Sequence, residues 1–580
     1  MMDSGSRAAA LARFLKENRE APLAVLIGAV TSLVIVAFIW TTELVGAQLY
    51  TPQSPPWMRL VFPAAGALLT GFLLYRLFPD ARGSGIPQTK AALFTGRTVG
   101  LRTTAGKFLC CSISLGSGIS LGREGPSVQI GAGIASQAGR WLGLKERETS
   151  ALIPMGTAAA LAAAFNTPIA GVLFTLEEIL GNMHARILGG VVMASASSWL
   201  VLHLLLGDEP LFHVPAYRLG SPVELIVYAA LGLAGGLVSA LFQWMLVRLR
   251  QRFLALPRHT VPWQPLAGGL FVGLLAWWIP GLLGVGYSAV GQALNGRMAW
   301  RLMVVLLALK LPATALCYAS GNPGGIFGPS LFLGAMLGGS IGSLSHSLFP
   351  EMTGPPGAYA LVGMGTAFAG IIRTPMTSVL MIFELTRDYS IIVPLMISNL
   401  LSYWVARRLI RTPIYEQLAA QDGVHLPKPP DERAEHELEV RDAMRPVALL
   451  LDPDMEVAEA SLYSGKHFLV GRAGQLWGIV SAEDLFQAPG HARLAELLPL
   501  PPDKMSSPPS ALLPHMHPDH PLDLALHRFG ATGLSILPVT DRMHSRTLLG
   551  ELTLQDLLDA YRRKAAGERQ HRRNPQLPAG

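Results

Sequence analysis

The sequence predicts an all-α membrane protein that crosses the bilayer many times and carries a smaller α+β domain at its C-terminus. Three observations predict this architecture: the composition, the way the apolar segments are interrupted, and the recurrence of short motifs along the chain. Half of the 580 residues are hydrophobic and 15% are charged, whereas soluble domains carry about 25% charged residues. Most of the chain is therefore expected to lie in a medium that does not solvate charge.

The charge is distributed unevenly along the chain. Residues 21–420 contain 25 Lys and Arg against 14 Asp and Glu, and residues 421–580 contain 17 against 22. The basic residues are scattered between apolar runs, which favours membrane anchoring or an anion pathway over nucleic-acid binding. The three cysteines, Cys110, Cys111 and Cys317, lie in apolar stretches and are interpreted as packing residues without a disulfide framework.

The apolar segments are of two lengths. Those long enough to cross the bilayer, which takes about 20 residues, lie near 22–45, 57–78, 186–206, 222–247, 262–282, 299–318 and 391–410. Shorter pieces, punctuated by Gly and Pro, lie at 84–94, 104–120, 125–139, 151–165, 168–180, 327–345, 355–371 and 375–386. The first long segment follows a basic stretch, residues 1–20, and is expected to be a retained span because it has no obvious cleavage site. Helix ends inside a membrane are tolerated where they are buried in protein or line a polar cavity, so the broken helices indicate a transport site.

An internal repeat supports a transport function. Three motifs recur in order at offsets of 203 to 209 residues: GPS at 125–127 and 328–330, MGT at 155–157 and 364–366, and TP at 167–168 and 374–375, the last followed by Glu177 and Glu384. Duplicated halves with discontinuous helices are typical of secondary transporters, whose site lies between the halves. We expect halves at about 21–208 and 222–421, in an inverted relation. Glu384 is interpreted as a structural acid paired with Arg387 or Lys310.

Four turns that contain Gly or Pro each precede an apolar helix, at residues 83–87, 122–126, 325–329 and 412–415. A helix start presents unpaired N–H groups and a partial positive charge, which bind an anion without trapping it as a Lys or Arg side chain would. One such turn alone is more simply a kink between packed helices. Four together, two of them at repeat-matched positions, favour an anion site.

Glutamates inside the apolar segments are candidates for function, since a carboxylate in a membrane costs about 3 kcal/mol or more. Glu124 lies at a helix start, where an anion would also bind, and its alternative role is a helix cap. Glu177 and Glu178 are adjacent and point about 100° apart on a helix, so they are not expected to serve one site. The alternative for this pair is a solvated helix end.

These turns resemble those of the CLC family of chloride channels and chloride/proton exchangers. The strings GSGIP, GREGP and GIFGP stand in the order and spacing of the family, and the resemblance covers about residues 20–421. One departure is that Gln88 and Thr89 follow GSGIP, where members often carry a glutamate after the proline. The resemblance implies a homodimer with a pathway in each subunit, in a bacterial-type inner membrane, with both termini cytoplasmic.

The resemblance also implies which residues bind the anion. The hydroxyls of Ser84 and Tyr415 would hold the central chloride together with the backbone N–H groups of Ile326 and Phe327. Gly125, at the neighbouring helix start, would also bind chloride. Chloride, protons and membrane lipid are the implied partners, and nucleic acid is not among them.

Two glutamates have implied roles that separate the possible functions. Glu124 would be the gating glutamate, which competes with chloride for the outer site and leaves when protonated. Glu178 would be the internal glutamate that receives protons from the cytoplasm, and its presence favours coupled exchange over the alternative, a passive voltage- or pH-gated chloride channel. A cation transporter would need several carboxylates converging on a metal, and an enzyme a nucleophile–base pair or a metal-ligand cluster. The sequence shows neither pattern, so we expect no enzyme activity, no metal site and no required cofactor.

The chain changes character after residue 421. A polar linker at 422–437 leads to two similar stretches within 438–562, which resemble a pair of CBS domains. Each has two apolar strands followed by Ser/Thr-x-x-Asp at a helix start. Residues 563–580 are basic and expected to be disordered.

The tail could hold a ligand, because CBS pairs can hold an adenine nucleotide between their halves. The resemblance implies that Asp484 or Asp556 meets the ribose and that Ser481 or Thr553 meets a phosphate. The same pattern is also an ordinary capping box, and both interpretations stay open.

Overall fold

The structure is a computed structural model. It describes residues 20–51, 54–181, 187–207, 212, 214, 221–222, 224–387, 389–424, 426, 438–498, 513–541 and 546–573. The chain divides into two compact units, residues 1–427 and 428–580, which are described separately below.

The described part of the N-terminal unit is helical. The helices are α1 (Glu20–Leu49), α2 (Met58–Arg76), α3 (Ile86–Thr95), α4 (Leu101–Gly116), α5 (Glu124–Trp141), α6 (Glu146–Ser150), α7 (Ile153–Phe165), α8 (Pro168–Phe174), α9 (Leu188–Leu206), α10 (Glu224–Leu254), α11 (Gln264–Trp278), α12 (Tyr287–Leu294), α13 (Trp300–Ala319), α14 (Phe327–Leu348), α15 (Pro356–Ile372), α16 (Pro375–Thr386), α17 (Ile392–Leu409) and α18 (Ile414–Gln421). A π-helical turn, Thr175–Leu180, follows α8. Short helices with intervening turns dominate, as the interrupted apolar pattern predicts.

Seven helical stretches among the described residues are long and apolar enough to cross a membrane. They are Glu20–Leu49, Met58–Arg76, Glu146–Phe165, Leu188–Leu206, Glu224–Leu254, Trp300–Ala319 and Phe327–Leu348. The expectation that residues 327–345 form a short piece is wrong, because α14 has 22 residues. Its glycines mark close packing: a Cβ on Gly334 would lie 2.0 Å from the carbonyl oxygen of Gly363 on α15. Small residues that let two helix backbones touch are typical of membrane helix pairs.

The two halves of this unit make reciprocal contacts. Gly122 and Gly325 form an antiparallel β-bridge with N···O distances of 2.7 Å in both directions. The buried ammonium groups of Lys107 and Lys310 each donate two hydrogen bonds to carbonyls in the turn before the first short helix of their own half, α3 or α12. The symmetric bridge between the halves, and the lysine contacts that recur in each half, indicate that the halves are related by an approximate two-fold axis. The inverted orientation in the membrane stays a prediction.

Two glutamates cap helices of the opposite half. The Glu384 carboxylate accepts the first two N–H groups of α8, at 2.9 and 2.7 Å. The Glu177 carboxylate accepts the first two N–H groups of α16, at 3.3 and 2.8 Å. The expectation that Glu384 pairs with Arg387 or Lys310 is wrong, because its partners are backbone amides. A helix start offers orphan donors and a favourable dipole, so it replaces a basic side chain as the partner.

One of the three motif matches is not a structural equivalence. A Cβ on Gly131 would lie 2.2 Å from the oxygen of Gly156, and Gly334 meets Gly363 in the same way. Gly156 therefore corresponds to Gly363, at the offset of 207 residues shared by the Thr-Pro motif. The second Met-Gly-Thr string places Gly365 there, so that match is coincidental.

The C-terminal unit contains two small sheets, four α-helices and two 3-10 helices, Val440–Asp442 and Leu494–Leu497, among its described residues. The strands are β1 (Leu450–Leu451), β2 (His467–Arg472), β3 (Gln475–Ser481), β4 (Ile536–Thr540) and β5 (Leu548–Thr553), and the helices are α19 (Val457–Ala460), α20 (Ala482–Gln487), α21 (Leu522–Thr532) and α22 (Leu554–Arg573). β1 is parallel to β2, β2 is antiparallel to β3, and β4 is antiparallel to β5. A parallel bridge of Met516 with Val539 on β4 repeats the β1–β2 pairing, so the two halves share one order of elements.

The boundaries of this unit differ from expectation at one end. α22 continues to Arg573, past the expected end of the CBS pair at residue 562, and the Arg, Lys, Ala, Glu and Gln of residues 563–573 are good helix formers. The disordered tail stays a prediction. Residues 1–19, 427–437 and 574–580 lie outside the described residues. Asp422, the first linker residue, forms an ion pair with Arg250.

Candidate functional site

Helix starts converge within the N-terminal unit. A Cβ on Gly125 would lie 2.8 Å from Ser84 Oγ and 3.2 Å from the Cα of Gly325. Gly85, before α3, has a φ of 106°, and a Cβ there would lie 2.5 Å from the oxygen of Gly125. Only glycine allows both the conformation and the approach. The starts of α3 and α5 and the turn before α14 therefore meet in one small region.

Two hydroxyls in this region are buried without a partner. Ser84 and Tyr415 are 0% and 1% exposed, and neither hydroxyl has a hydrogen-bond partner among the described residues. Tyr415, on α18, interacts electrostatically with Glu124 and Glu178 and lies beside Ser84. Buried hydroxyls are almost always paired, and leaving one unpaired costs about 1–3 kcal/mol. The pair fits a ligand that accepts hydrogen bonds, such as an anion.

The start of α14, in the second repeat half, supplies backbone N–H donors close to this region. Ile326 is the residue before α14 and Phe327 is its first residue, and both are buried. N–H groups at these positions have no acceptor within the helix. The ring of Phe327 packs against those of Phe165 and Phe368, with centroids 4.9 and 4.4 Å apart. This packing holds the turn in place.

Glu124 is the first residue of α5, in the first repeat half. Its side chain is fully buried, and Oε2 accepts the N–H of Gly328, near the start of α14, at 3.1 Å. Oε1 accepts the hydroxyl hydrogen of Tyr287. The Arg123 guanidinium lies 5.3 Å from the Tyr287 ring centroid and pairs with Glu43 at 2.7 Å. The Glu124 carboxylate is thus bound by the Tyr287 hydroxyl and by a helix-start N–H that could also bind an anion.

The structure adds a fifth turn, residues 284–287, which the motif search misses. Gly284 and Gly286 have φ angles of 58° and 89°, and they match the Gly83 and Gly85 turn at 85° and 106°. Tyr287, the first residue of α12, thereby reaches Glu124. The signal in the sequence is a second Gly-x-Gly before a short apolar helix. That pattern alone is too common to select.

Glu178 and Glu177 serve different sites, as their angular separation predicts. Glu178 lies on the π-helical turn, and its Oε1 is 2.7 Å from the Nζ of Lys90 on α3. Both of these side chains are about nine-tenths buried. Glu177 instead caps α16. Sequence reasoning did not select Lys90, although an ionisable residue inside the apolar piece 84–94 is a recognisable signal.

A small cavity lies at the turn before Ser84. It has a volume of about 80 Å³ and is lined by Gly83, Arg82, Arg250 and Tyr318 among other residues. Arg250 pairs with Asp422, and Arg82 Nη2 donates to a glutamine oxygen at 3.2 Å. Two arginines therefore lie near the turn before Ser84, and Asp422, which also lines the cavity, offsets the charge of Arg250. The remaining positive charge of Arg82 favours anions there.

In the C-terminal unit, the predicted nucleotide residues form two capping boxes. Ser481 N donates to Asp484 Oδ2 at 2.9 Å and Asp484 N donates to Ser481 Oγ at 3.0 Å. Thr553 and Asp556 make the same pair of bonds at 3.1 and 3.2 Å. Hydrogen bonds from the Ser481 hydroxyl and amide lower the pKa of Asp484. Asp556 is buried and also pairs with Arg445, whereas Asp484 is exposed.

Comparison with known proteins gives one family and several close relatives. The model of the family described as "Voltage gated chloride channel" matches residues 65–407. A protein from Vibrio cholerae named H(+)/Cl(-) exchange transporter ClcA is 33% identical over 372 residues, which are 63% of this chain and 80% of the relative. A protein of the same name from Cronobacter sakazakii is 32% identical over 441 residues, which are 72% of this chain and 94% of the relative.

Solved structures agree with the predicted fold class. The crystal structure of a slow cyanobacterial Cl−/H+ antiporter matches with 27% sequence identity and a TM-score of 0.63. The match covers 70% of this chain and 98% of the antiporter chain. The crystal structure of a eukaryotic CLC transporter matches with 23% sequence identity and a TM-score of 0.60. The match covers 94% of this chain and 98% of the transporter chain. The second likeness shows the fold alone. The prediction of a multi-span helical body with broken helices is confirmed, and the CBS assignment stays a prediction.

Proposed function

The chain belongs to the voltage-gated chloride channel family, and we propose that it exchanges chloride for protons across the membrane. Its relatives from Vibrio cholerae and Cronobacter sakazakii are named as H(+)/Cl(-) exchange transporters. The observation that carries the proposal is that two buried glutamates lie on elements that meet beside Ser84. Glu124 begins α5, whose Gly125 touches Ser84, and Glu178 pairs with Lys90 on α3, the helix that follows Ser84. At this site, the buried hydroxyls of Ser84 and Tyr415 have no hydrogen-bond partner among the described residues. An anion position with a carboxylate on each side is what coupled exchange requires.

Chloride is the substrate that fits the donors. Ser84 and Tyr415 offer two buried hydroxyls, and Ile326 and Phe327 offer N–H groups at a helix start. Gly125 keeps its backbone in contact with Ser84 because it has no side chain. These donors carry partial charges, so they stabilise a desolvated anion yet release it.

Glu124 acts as the gate. As a carboxylate it takes the N–H of Gly328, a donor near the start of α14 that chloride would otherwise use, and the hydroxyl of Tyr287 holds it there. Protonation removes the charge that these donors and the helix dipole favour. The neutral side chain then leaves, chloride takes its place, and the proton moves with Glu124.

Glu178 receives protons from the cytoplasm and passes them past Tyr415 towards Glu124. Its carboxylate is buried and interacts with Tyr415, so a proton held there lies near the anion position without sharing it. The step from Glu178 towards Glu124 crosses the region of the buried hydroxyls. Loss of this carboxylate should stop protons while the chloride donors stay in place.

The test is chloride-driven proton uptake by the purified full-length protein in liposomes. An outward chloride gradient should drive protons inwards in the wild type. Glu178→Gln should abolish proton uptake and keep chloride flux, and Glu124→Gln should abolish both proton uptake and the dependence of chloride flux on pH. Glu177→Gln is the matched control, because its carboxylate caps α16, and it should retain coupling. Chloride flux without any proton movement in active wild-type protein would instead identify a passive channel.

We also propose a homodimer in a bacterial inner membrane, with both termini in the cytoplasm. The relatives reported above come from bacteria. Apolar side chains on the outside of the helices need cover from lipid or from a second copy. Leu204 on α9 and Ile226 on α10, for example, are 77% and 69% exposed in the single chain.

For the C-terminal unit we propose a CBS pair that binds an adenine nucleotide on the side of Ser481 and Asp484. Asp484 is exposed, so a ribose could reach it without breaking an ion pair. At Thr553 and Asp556 a nucleotide would first have to displace Arg445. The first box is therefore the better nucleotide site of the two.

A further inference from the structure

A buried ion pair connects the internal glutamate to the helix that begins beside Ser84. Lys90 Nζ lies 2.7 Å from Glu178 Oε1, and the two side chains are 10% and 8% exposed. The two residues are 88 positions apart in the chain. A buried charge is stable only with a partner, so removing one member of such a pair strongly affects the other.

The position of Lys90 links the proton route to the anion site. Lys90 lies one turn into α3, whose first residue follows Ser84 and Gly85 directly. The hydroxyl of Thr89 donates to the oxygen of Gly85 at 2.8 Å, and Gln88 Oε1 accepts the N–H of Gly85 at 2.9 Å. This first turn is therefore held firmly, and Lys90 reaches Glu178 from a fixed base.

The other charged and titratable groups around Glu178 belong to different contacts. Glu177 is its neighbour in sequence and caps α16. Arg373, after α15, donates to the carbonyl oxygens at the end of α17 and beyond it. Tyr415, on α18, interacts with Glu178 electrostatically. Among the described residues, Lys90 is the group that hydrogen-bonds to the Glu178 carboxylate.

We propose that Lys90 is a positioning residue that clamps Glu178 in its ionised form, so that Glu178 takes up a proton only when the pair opens. An ammonium beside a carboxylate favours the charged carboxylate. Fewer Glu178 side chains are then protonated at a given pH, and proton loading fails at a lower pH than it would without Lys90. The clamp thus sets the upper pH limit of coupled transport. This inference rests on the proposed exchange function.

The test is the pH profile of chloride-driven proton uptake in liposomes. In Lys90→Met, which keeps an unbranched side chain one atom shorter and removes its charge, the pH at which uptake falls to half should rise by about one to three units. Lys90→Arg keeps the charge and should keep the wild-type profile. In a Glu178→Gln background, which supports no proton uptake, Lys90→Met should leave chloride flux unchanged.

The outcomes separate this inference from the function on which it rests. Wild-type protein without coupled proton movement would overturn the proposed exchange itself. Coupled wild-type protein with an unshifted profile in Lys90→Met would overturn the clamp alone. If Lys90→Met loses chloride flux as well, the double variant Lys90→Met/Glu178→Gln decides, because it buries no charge at the pair. Loss of chloride flux there too would make Lys90 a purely structural residue and refute the clamp.

Discussion

Removing the Tyr287 hydroxyl tests how firmly Glu124 is held in the anion position. In the structure the Glu124 carboxylate has two donors, the N–H of Gly328 at 3.1 Å and the hydroxyl of Tyr287. Tyr287→Phe removes one of the two and keeps the ring, which packs at 5.6 Å from that of Phe212. The backbone donor stays, so the change isolates one hydrogen bond.

The size of the effect follows from the kind of bond that is lost. A hydrogen bond to a charged group contributes about 1.5–3 kcal/mol, and about 1.4 kcal/mol is a factor of ten in affinity. In the proposed mechanism, chloride competes with the Glu124 carboxylate for the start of α14. Weaker binding of the carboxylate there therefore raises the apparent affinity for chloride. We expect the apparent chloride affinity at this position to rise roughly 10- to 100-fold.

Isothermal titration of chloride into the purified protein at fixed pH measures this change. The same substitution in a Glu124→Gln background should have no further effect, because the competing carboxylate is already absent. Tyr389→Phe, at a tyrosine that is 78% exposed, is the control for a lost hydroxyl elsewhere. An affinity within about twofold of the wild type in Tyr287→Phe would refute the competition between Glu124 and chloride.

Three further predictions concern the anion site, the interface between the halves and the tail. Ser84→Pro removes a hydroxyl and an N–H at the start of α3 and should lower the preference for chloride over nitrate. A ratio of chloride to nitrate flux in liposomes that is unchanged from the wild type would mean that Ser84 does not face the ion. Glu384→Gln leaves one oxygen for two N–H groups of α8 and should lower the free energy of unfolding by about 1–3 kcal/mol. The measurement is the midpoint of thermal unfolding, and an unchanged midpoint would contradict the capping role. Calorimetry with ATP, ADP or AMP should show binding to the full-length protein that Asp484→Ala removes, and the absence of heat from folded protein would leave Asp484 as a helix cap alone.

The sequence predicts most of the anion site because its chemistry is local. The turn before Ser84, the turn with Glu124 and the turn before Phe327 combine Gly and Pro in short strings, and helix starts bind anions through their own backbone. The same local signal locates the capping boxes at Ser481 and Thr553. In these cases neighbouring residues supply both partners, so no knowledge of the tertiary structure is needed.

Local patterns are less reliable where packing decides. The Met-Gly-Thr match looks like part of the repeat, yet the packing of Gly131 on Gly156 and of Gly334 on Gly363 shows a different register. Glycines can interrupt a helix or allow two helices to touch, and the string alone does not distinguish these uses. This is also why residues 327–345 read as a short piece and prove to belong to a helix of 22 residues.

The sequence by itself determined the fold class, and it selected the helix starts of the proposed anion site and the two glutamates of the proposed exchange. Only the tertiary structure decided their partners. Lys90 meets Glu178 across 88 residues and Tyr287 meets Glu124 across 163, and Glu384 meets backbone amides of the opposite half instead of a basic side chain. A carboxylate accepts hydrogen bonds from many kinds of donor, so its chemistry alone does not choose among them. The choice depends on which donor the packing of the two halves brings within hydrogen-bond distance and away from water.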